Sequence, residues 1–127
     1  MILTYAWVAL GGALGSMARF WLANAVGALT GPDFPWGTLG INIIGSFVIG
    51  LFFAVTGPGG RLDVSTDARI FVMVGICGGF TTFSSFSLQT LQLIQTGEML
   101  RAGAYIVGSV ALCLLFVWLG WLLGFAR

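Results

Sequence analysis

Lysine and histidine are absent from this 127-residue chain, and five arginines and four carboxylates are its only charged side chains. So little charge cannot keep the surface of a soluble domain wet. With 58% hydrophobic residues and a mean hydropathy of +1.04, the class is integral membrane protein. A net charge of +1 gives no footprint for a nucleic-acid partner. There are no paired acids, no Ser/His/Asp set and no phosphate-binding loop, so an enzyme is not expected. Cysteine is scarce too. Cys77 and Cys113 both sit in apolar runs; they are too few for a metal cage and read as small buried hydrophobes rather than as disulfide partners. The opening "MILTYAWVALGGALG" lacks a basic n-region and reads as a retained first span, not a cleaved signal.

What the chain has in quantity is apolar length. A bilayer core of ~30 Å needs about 20 apolar residues per helix. Four segments qualify, over residues 3–29, 37–56, 69–95 and 102–125. "TGPDFPW", "GPGGRLDVSTD" and "TGEMLR" supply the turn chemistry and nearly all the charge between them. The expectation is one domain of four transmembrane helices. An even number of spans puts both termini on one side with Arg61, Arg69 and Arg127; Arg101 lies on the other, joined by Arg19 if that residue ends the first helix. Three against two is a weak bias under the Lys/Arg rule, and permits insertion in both orientations. Twenty glycines, including Gly11 and Gly15 in G-x-x-x-G spacing, allow close approach between membrane helices. A dimer is the simplest closed assembly.

Polar residues fall in stripes. Thr38, Asn42 and Ser46 are four apart on the second helix, and Tyr105, Ser109 and Cys113 are four apart on the fourth. Phe83, Phe86, Ser87 and Thr90 share a sector of the third. Such residues turn from lipid toward a partner helix or a watery path. Local bonding of Ser and Thr to their own helix, and of Asn between helices, competes with that reading. "GGFTTFSSFS", residues 78–87, gathers two glycines, five hydroxyls and three phenylalanines inside an apolar run. Its glycines predict either a break in the third helix, which survives at membrane depth only if protein or water satisfies the freed groups, or close packing. No carboxylate lies in any span, which argues against proton coupling and against a cationic substrate. Arg19 either snorkels to an interface or biases a vestibule toward anions. The edges of Phe83 and Phe86, electropositive in the ring plane, suit a small anion that must also leave; ordinary packing is the rival account.

The strings "GTLGINIIGSFVIG", "GICGGFTTFSSFS" and "GGALGSMARF" resemble the signatures of the Fluc (CrcB) fluoride channels, in the same order and over essentially the whole chain. The resemblance implies an antiparallel, dual-topology homodimer in the plasma membrane, the inner membrane in a Gram-negative cell. It implies two fluoride pores per dimer and a third helix broken near Gly78–Thr82. A structural Na⁺ would be held at the dimer centre by the backbone carbonyls of Gly78 and Thr81. By position, Phe83, Phe86, Asn42, Tyr105 and Ser109 match the pore residues. Thr82, Ser84, Ser85 and Ser87 belong to the same motif, and Arg19 matches the first-helix arginine of the vestibule. Gln89 stands where the family often has Glu, and Cys113 where some relatives continue a hydroxyl track; a thiol is the weaker donor. Two rivals stand beside the channel: a small dual-topology multidrug-type transporter, which the missing membrane carboxylate disfavours, and a noncatalytic scaffold in which the polar stripes are glue.

Overall fold

The computed structural model describes residues 1–126; Arg127 lies outside the described residues. All secondary structure among them is helical. In order these are α1 (Ile2–Thr30), α2 (Trp36–Thr56), a short α3 (Thr66–Arg69), a π-helical segment (Ile70–Cys77), α4 (Gly78–Phe80), α5 (Phe83–Gln95) and α6 (Met99–Phe125). Three stretches are long and apolar enough to cross a membrane: Trp36–Thr56, Thr66–Gln95 and Met99–Phe125. At 29 residues α1 is the longest helix, but Tyr5, Trp7, Arg19 and its glycines dilute its apolar character, and it is not among the three.

The punctuation works as residue chemistry dictates. Gly31 ends α1 with φ 77°, and Pro32 follows. Ser65 caps α3 by accepting from Ala68 N–H. Gly97 takes φ 80° after α5. Side-chain bonds tie the ends together. Thr4 Oγ1 donates to Asp67 Oδ1 (3.3 Å), Arg69 Nη1 to Thr56 O (2.6 Å) and Arg61 Nη2 to Gly124 O (3.3 Å). The start of α1, the end of α2, the start of the third span and the end of α6 therefore share one end of the molecule. At the other, Arg101 Nη1 reaches Asp33 O (3.4 Å). Arg61 and Arg69 sit against the carbonyl ends of α6 and α2, where a cation complements the helix dipole.

Glycines set which helices touch. A Cβ at Gly11 would stand 2.5 Å from Phe71 O, and one at Gly15 2.2 Å from Ile76 O; across the same seam a Cβ at Gly79 would stand 2.6 Å from Gly12 O. The G-x-x-x-G pair of α1 thus joins α1 to the third span of its own chain, and it is not available as an argument for an oligomer. Gly50, Gly120 and Gly124 do the same between α2 and α6, with Cβ positions 2.2 Å from Val117 O, 2.2 Å from Phe47 O and 2.8 Å from the Ala54 Cβ. Since backbone lies on both sides of Gly15, nothing can rotate aside. Gly15→Ala is expected to cost at least the ~1–3 kcal/mol of an overpacked core, read as a lowered Tm in detergent. Gly12→Ala, at an equivalent spot with open space around it, leaves Tm unchanged.

The buried core is small and lies toward the Asp33 end: Leu39, Phe86, Leu93, Ala102 and Tyr105, with Phe34 and Ile43 against them. Most other large apolar side chains point outward, as the lipid-facing surface of a membrane protein does.

Candidate functional site

The break in the third span falls at Thr81–Thr82, both extended (φ −80°, ψ 157° and φ −150°, ψ 116°). Gly78, by contrast, is ordinary right-handed helix at φ −65°, ψ −36°. The glycine pair is therefore not what permits the break. Gly79 serves close packing against α1, while a Cβ at Gly78 would meet only Met73 O, at 3.9 Å. Thr81 keeps the preceding turn closed, its N–H (3.0 Å) and its Oγ1 (2.9 Å) both donating to Cys77 O. Thr82 starts α5 by accepting Ser85 N–H on its hydroxyl (3.1 Å), as an N-cap does.

Breaking a helix at this depth frees backbone groups that must find partners. Asn42, from the middle of α2, supplies two. Its Nδ2 donates to Thr82 O (3.0 Å) and its Oδ1 accepts from Thr82 N–H (2.8 Å). One primary amide thus mimics a sheet-like backbone pair. Arg19 supplies a third bond, Nε donating to Gly79 O (3.0 Å). The expected snorkelling of Arg19 is not what is found: the residue lies mid-helix, half-buried, tied to the end of the first half of the broken span. Gly78 O and Thr81 O are among the carbonyls that lose their helical donors. Thr82 N–H, which would close a turn on Gly78 O, goes to Asn42; Ser85 N–H, which would close on Thr81 O, goes to Thr82 Oγ1.

One cavity lies at the start of α5 and a second along its later turns. The first, of about 400 Å³, is lined by Asn42 and Ser46 of α2, Gly78, Thr81 and Thr82 at the break, Phe83 and Phe86 of α5, and Ser109 and Cys113 of α6. The second, of about 490 Å³, opens at the Asp33 end; Thr38, Gln89, Gln92, Glu98 and Arg101 are among its walls. Between them stands an aromatic partition. Phe83 and Phe86 ring centroids are 5.3 Å apart, Phe86 and Tyr105 5.0 Å, and Tyr105 and Phe34 5.4 Å. Tyr105 is 0% exposed. Its hydroxyl donates to Gln89 Oε1 (2.7 Å), and Gln89 Nε2 donates to Thr38 Oγ1 (2.9 Å).

The i, i+4 stripes of α2 and α6 turn inward: Asn42, Ser46, Ser109 and Cys113 line the first cavity and Thr38 the second, while Tyr105, fully buried, lines neither. Ser109 Oγ is the informative atom: the residue is buried and this oxygen finds no hydrogen-bond partner among the described residues. A buried hydroxyl left unpaired costs free energy unless a ligand or water visits it. The third helix answers differently. Ser87 and Thr90 hydroxyls donate back to Phe83 O (2.9 Å) and Phe86 O (2.8 Å), the local bonding that competes with a path-lining role. Ser84 Oγ lies 3.4 Å from Thr82 Oγ1, is exposed, and lines neither cavity. Arg19 lines neither cavity either. Phe83 is 76% exposed although it lines the first cavity. The Gln89 bridge from α5 to both α2 and α6 was the residue pattern that spacing did not reveal. Its partners lie 51 and 16 residues away, and no local signal announces them.

Residues 6–121 match the family model described as CrcB-like protein, Camphor Resistance (CrcB). The chain is 60% identical to the fluoride-specific ion channel FluC of Methylocella silvestris, over 91% of this chain and 88% of that one. It is 59% identical to its namesake in Paramagnetospirillum magneticum, over 94% and 93%, and 58% identical to that of Rhodospirillum rubrum, over 93% and 92%.

Proposed function

The chain belongs to the CrcB-like family, and from that premise we propose that it is a fluoride-selective channel of the plasma membrane, a passive pore and not an enzyme. The observation that carries the reading is the unpartnered Ser109 hydroxyl, buried in the wall of the first cavity, which holds neutral polar groups, two phenylalanine rings and no carboxylate or arginine. Such a lining offers a small anion enough to replace part of its hydration, yet no fixed cation to trap it. The free second N–H of Asn42 and the hydroxyl of Ser109 are the donors; Phe83 and Phe86 present their edges. Tyr105 and Gln89 hold the partition in place.

In this reading α1 crosses the membrane as the fourth span. At ~1.5 Å per residue its 29 residues are long enough, and it runs along the third span through Gly11 and Gly15. A second copy completes the pore. Phe83 is too exposed to line a closed path alone, and Gly78 faces open space beside it. The antiparallel dimer, with two pores, is favoured by the charge balance: among the described residues Arg61 and Arg69 mark one end and Arg101 the other, while Arg19 is spent mid-helix. Gly78 O and Thr81 O, stripped of their helical donors, suit a hard cation such as Na⁺ at the dimer centre. A Na⁺ held there would supply positive charge at the break, apart from the first cavity's neutral lining.

A passive pore suffices for fluoride resistance. Fluoride enters as neutral HF and is trapped as the anion inside; an inside-negative potential then drives it out with about 2.3 kcal/mol per 100 mV. The test is anion efflux from liposomes holding the purified protein under a K⁺ ionophore, read with fluoride and chloride electrodes. Fast fluoride loss without chloride loss is expected. Phe83→Ile is expected to slow fluoride loss while the dimer persists on gel filtration. No fluoride loss from a folded dimer would return the transporter reading to first place.

A further inference from the structure

The two cysteines, far apart in the chain, come to one place. Cys77, at the end of the π-helical segment, and Cys113, in the middle of α6, both line the first cavity. Both thiols are free; Cys77 is 3% exposed and Cys113 is half-buried. One turn before Cys113 on the same face of α6 stands Ser109, 6% exposed, whose Oγ has no partner among the described residues. A hydroxyl oxygen has lone pairs to offer as well as a proton. The rest of the lining brings no carboxylate and no arginine. Reading each cysteine as a small buried hydrophobe accounts for the burial of Cys77, but not for two sulfurs and an unpaired hydroxyl lining one space.

We propose that the first cavity binds a soft, thiophilic monovalent cation of the Ag⁺ or Cu⁺ class, with Cys113 as the charged ligand and Cys77 as the second sulfur, and that its occupation closes the path. The closure rests on the fluoride-channel reading; the binding does not. Thiolate sulfur selects such ions over Na⁺, Mg²⁺ or Ca²⁺, which prefer oxygen. The ligation step balances without a redox partner. The S–H bond of Cys113 breaks, a sulfur–metal bond forms, and the proton leaves to water. Charge decides which ion fits. A bare cation in a cavity without a carboxylate is costly to bury. One thiolate cancels one positive charge, so a monovalent ion leaves the site neutral, whereas a divalent ion would need both thiols deprotonated. The bound metal then stands one turn from Ser109, in the wall that the proposed fluoride path uses, and takes the space through which the anion would pass.

The test uses the full-length chain in a chloride-free nitrate medium, where Ag⁺ stays dissolved. Wild type, Cys113→Ser, Cys77→Ala and the double variant are compared, each checked as a folded dimer by gel filtration. Two quantities are read: the Ag⁺ retained by the purified protein, and the ratio of fluoride efflux from liposomes with and without Ag⁺ for the same preparation. Wild type is expected to retain about one Ag⁺ per chain more than the double variant. Its efflux is expected to fall to the leak of protein-free liposomes, and to return when dithiothreitol strips the metal. Cys113→Ser is expected to lose the retained ion and to conduct equally with and without Ag⁺. Cys77→Ala is expected to need more Ag⁺ for the same block; an unchanged requirement removes Cys77 from the site. The thioethers of Met17 and Met73 are soft donors that remain in every variant. Retention or block that survives the double substitution therefore overturns the proposal, as does undiminished wild-type efflux at saturating Ag⁺. If Cys77→Ala does not assemble, Cys113→Ser alone decides. A wild-type dimer that passes no fluoride even without Ag⁺ overturns the channel reading instead, and the retention measurement still decides the metal site.

Discussion

Asn42→Leu is expected to abolish fluoride conduction and to lower Tm sharply, while Ser46→Ala one turn away changes Tm little. The reason is the double bond that Asn42 makes to Thr82 across the break. Leucine fills nearly the same volume but leaves Thr82 N–H and Thr82 O unpaired at membrane depth. Each buried orphan costs roughly 1–3 kcal/mol, and lipid offers no water to relieve it. The chain has two ways to respond. It unfolds locally, or it closes the helix through Thr81–Thr82, which restores the i→i+4 bonds and swings Phe83 and everything after it off the first cavity. Both remove the path. Asn42→Asp separates the parts of the effect: it keeps the acceptor for Thr82 N–H, loses the donor for Thr82 O, and sets a negative charge on the cavity wall. It is expected to recover part of the Tm and none of the flux. Wild-type flux in Asn42→Leu would mean that the break is held by its own backbone preferences and that Asn42 is incidental.

The second large effect concerns orientation. Leu100→Arg with Met99→Arg adds cations at the Arg101 end, on side chains that are 88% and 62% exposed. Leu62→Arg, at a half-exposed position beside Arg61 and Arg69, adds one at the other end. Orientation follows the Lys/Arg bias of short loops, so each variant is expected to insert one way only. Alone, each should give no fluoride efflux and no fluoride resistance in cells. Co-expressed, the pair should restore both, because two opposed copies are again available. The effect is all-or-none, since a pore completed by the opposite-facing copy does not exist without it. Full activity from either variant alone would exclude the antiparallel dimer and leave a parallel assembly or a monomeric path.

Much of this site was legible along the chain. The stripes Thr38–Asn42–Ser46 and Tyr105–Ser109–Cys113 could be read because a helix converts a spacing of four into one face. That a polar face turns from lipid follows from solvation alone. The scarcity of charge decided the class, and the clustering of Gly, Pro and Asp between apolar runs decided where the chain turns. The break was placed within a few residues, but for the wrong reason. Glycine suggested unusual backbone angles, whereas Gly78 is helical and the extended residues are Thr81 and Thr82.

What only the tertiary structure decided is which face meets which. Periodicity fixes the faces of one helix and carries nothing about its rotation relative to another. Arg19 and Gly79 are 60 residues apart, Asn42 and Thr82 40, Thr38 and Gln89 51. Each pair meets because glycines at Gly11, Gly15 and Gly79 set how α1 docks on the third span, and Gly50, Gly120 and Gly124 set how α2 docks on α6. The π-helical turns of Ile70–Cys77 add a further shift. Their wider i→i+5 bonding moves the phase of every later side chain, so the face shown by Gln89 cannot be projected from Arg69 with a 3.6-residue wheel. The chain alone therefore named polar residues that the cavities bring together, and the packing of backbone on backbone determined which of them, like Asn42, are spent on hydrogen bonds and which, like Ser109, are left without a partner.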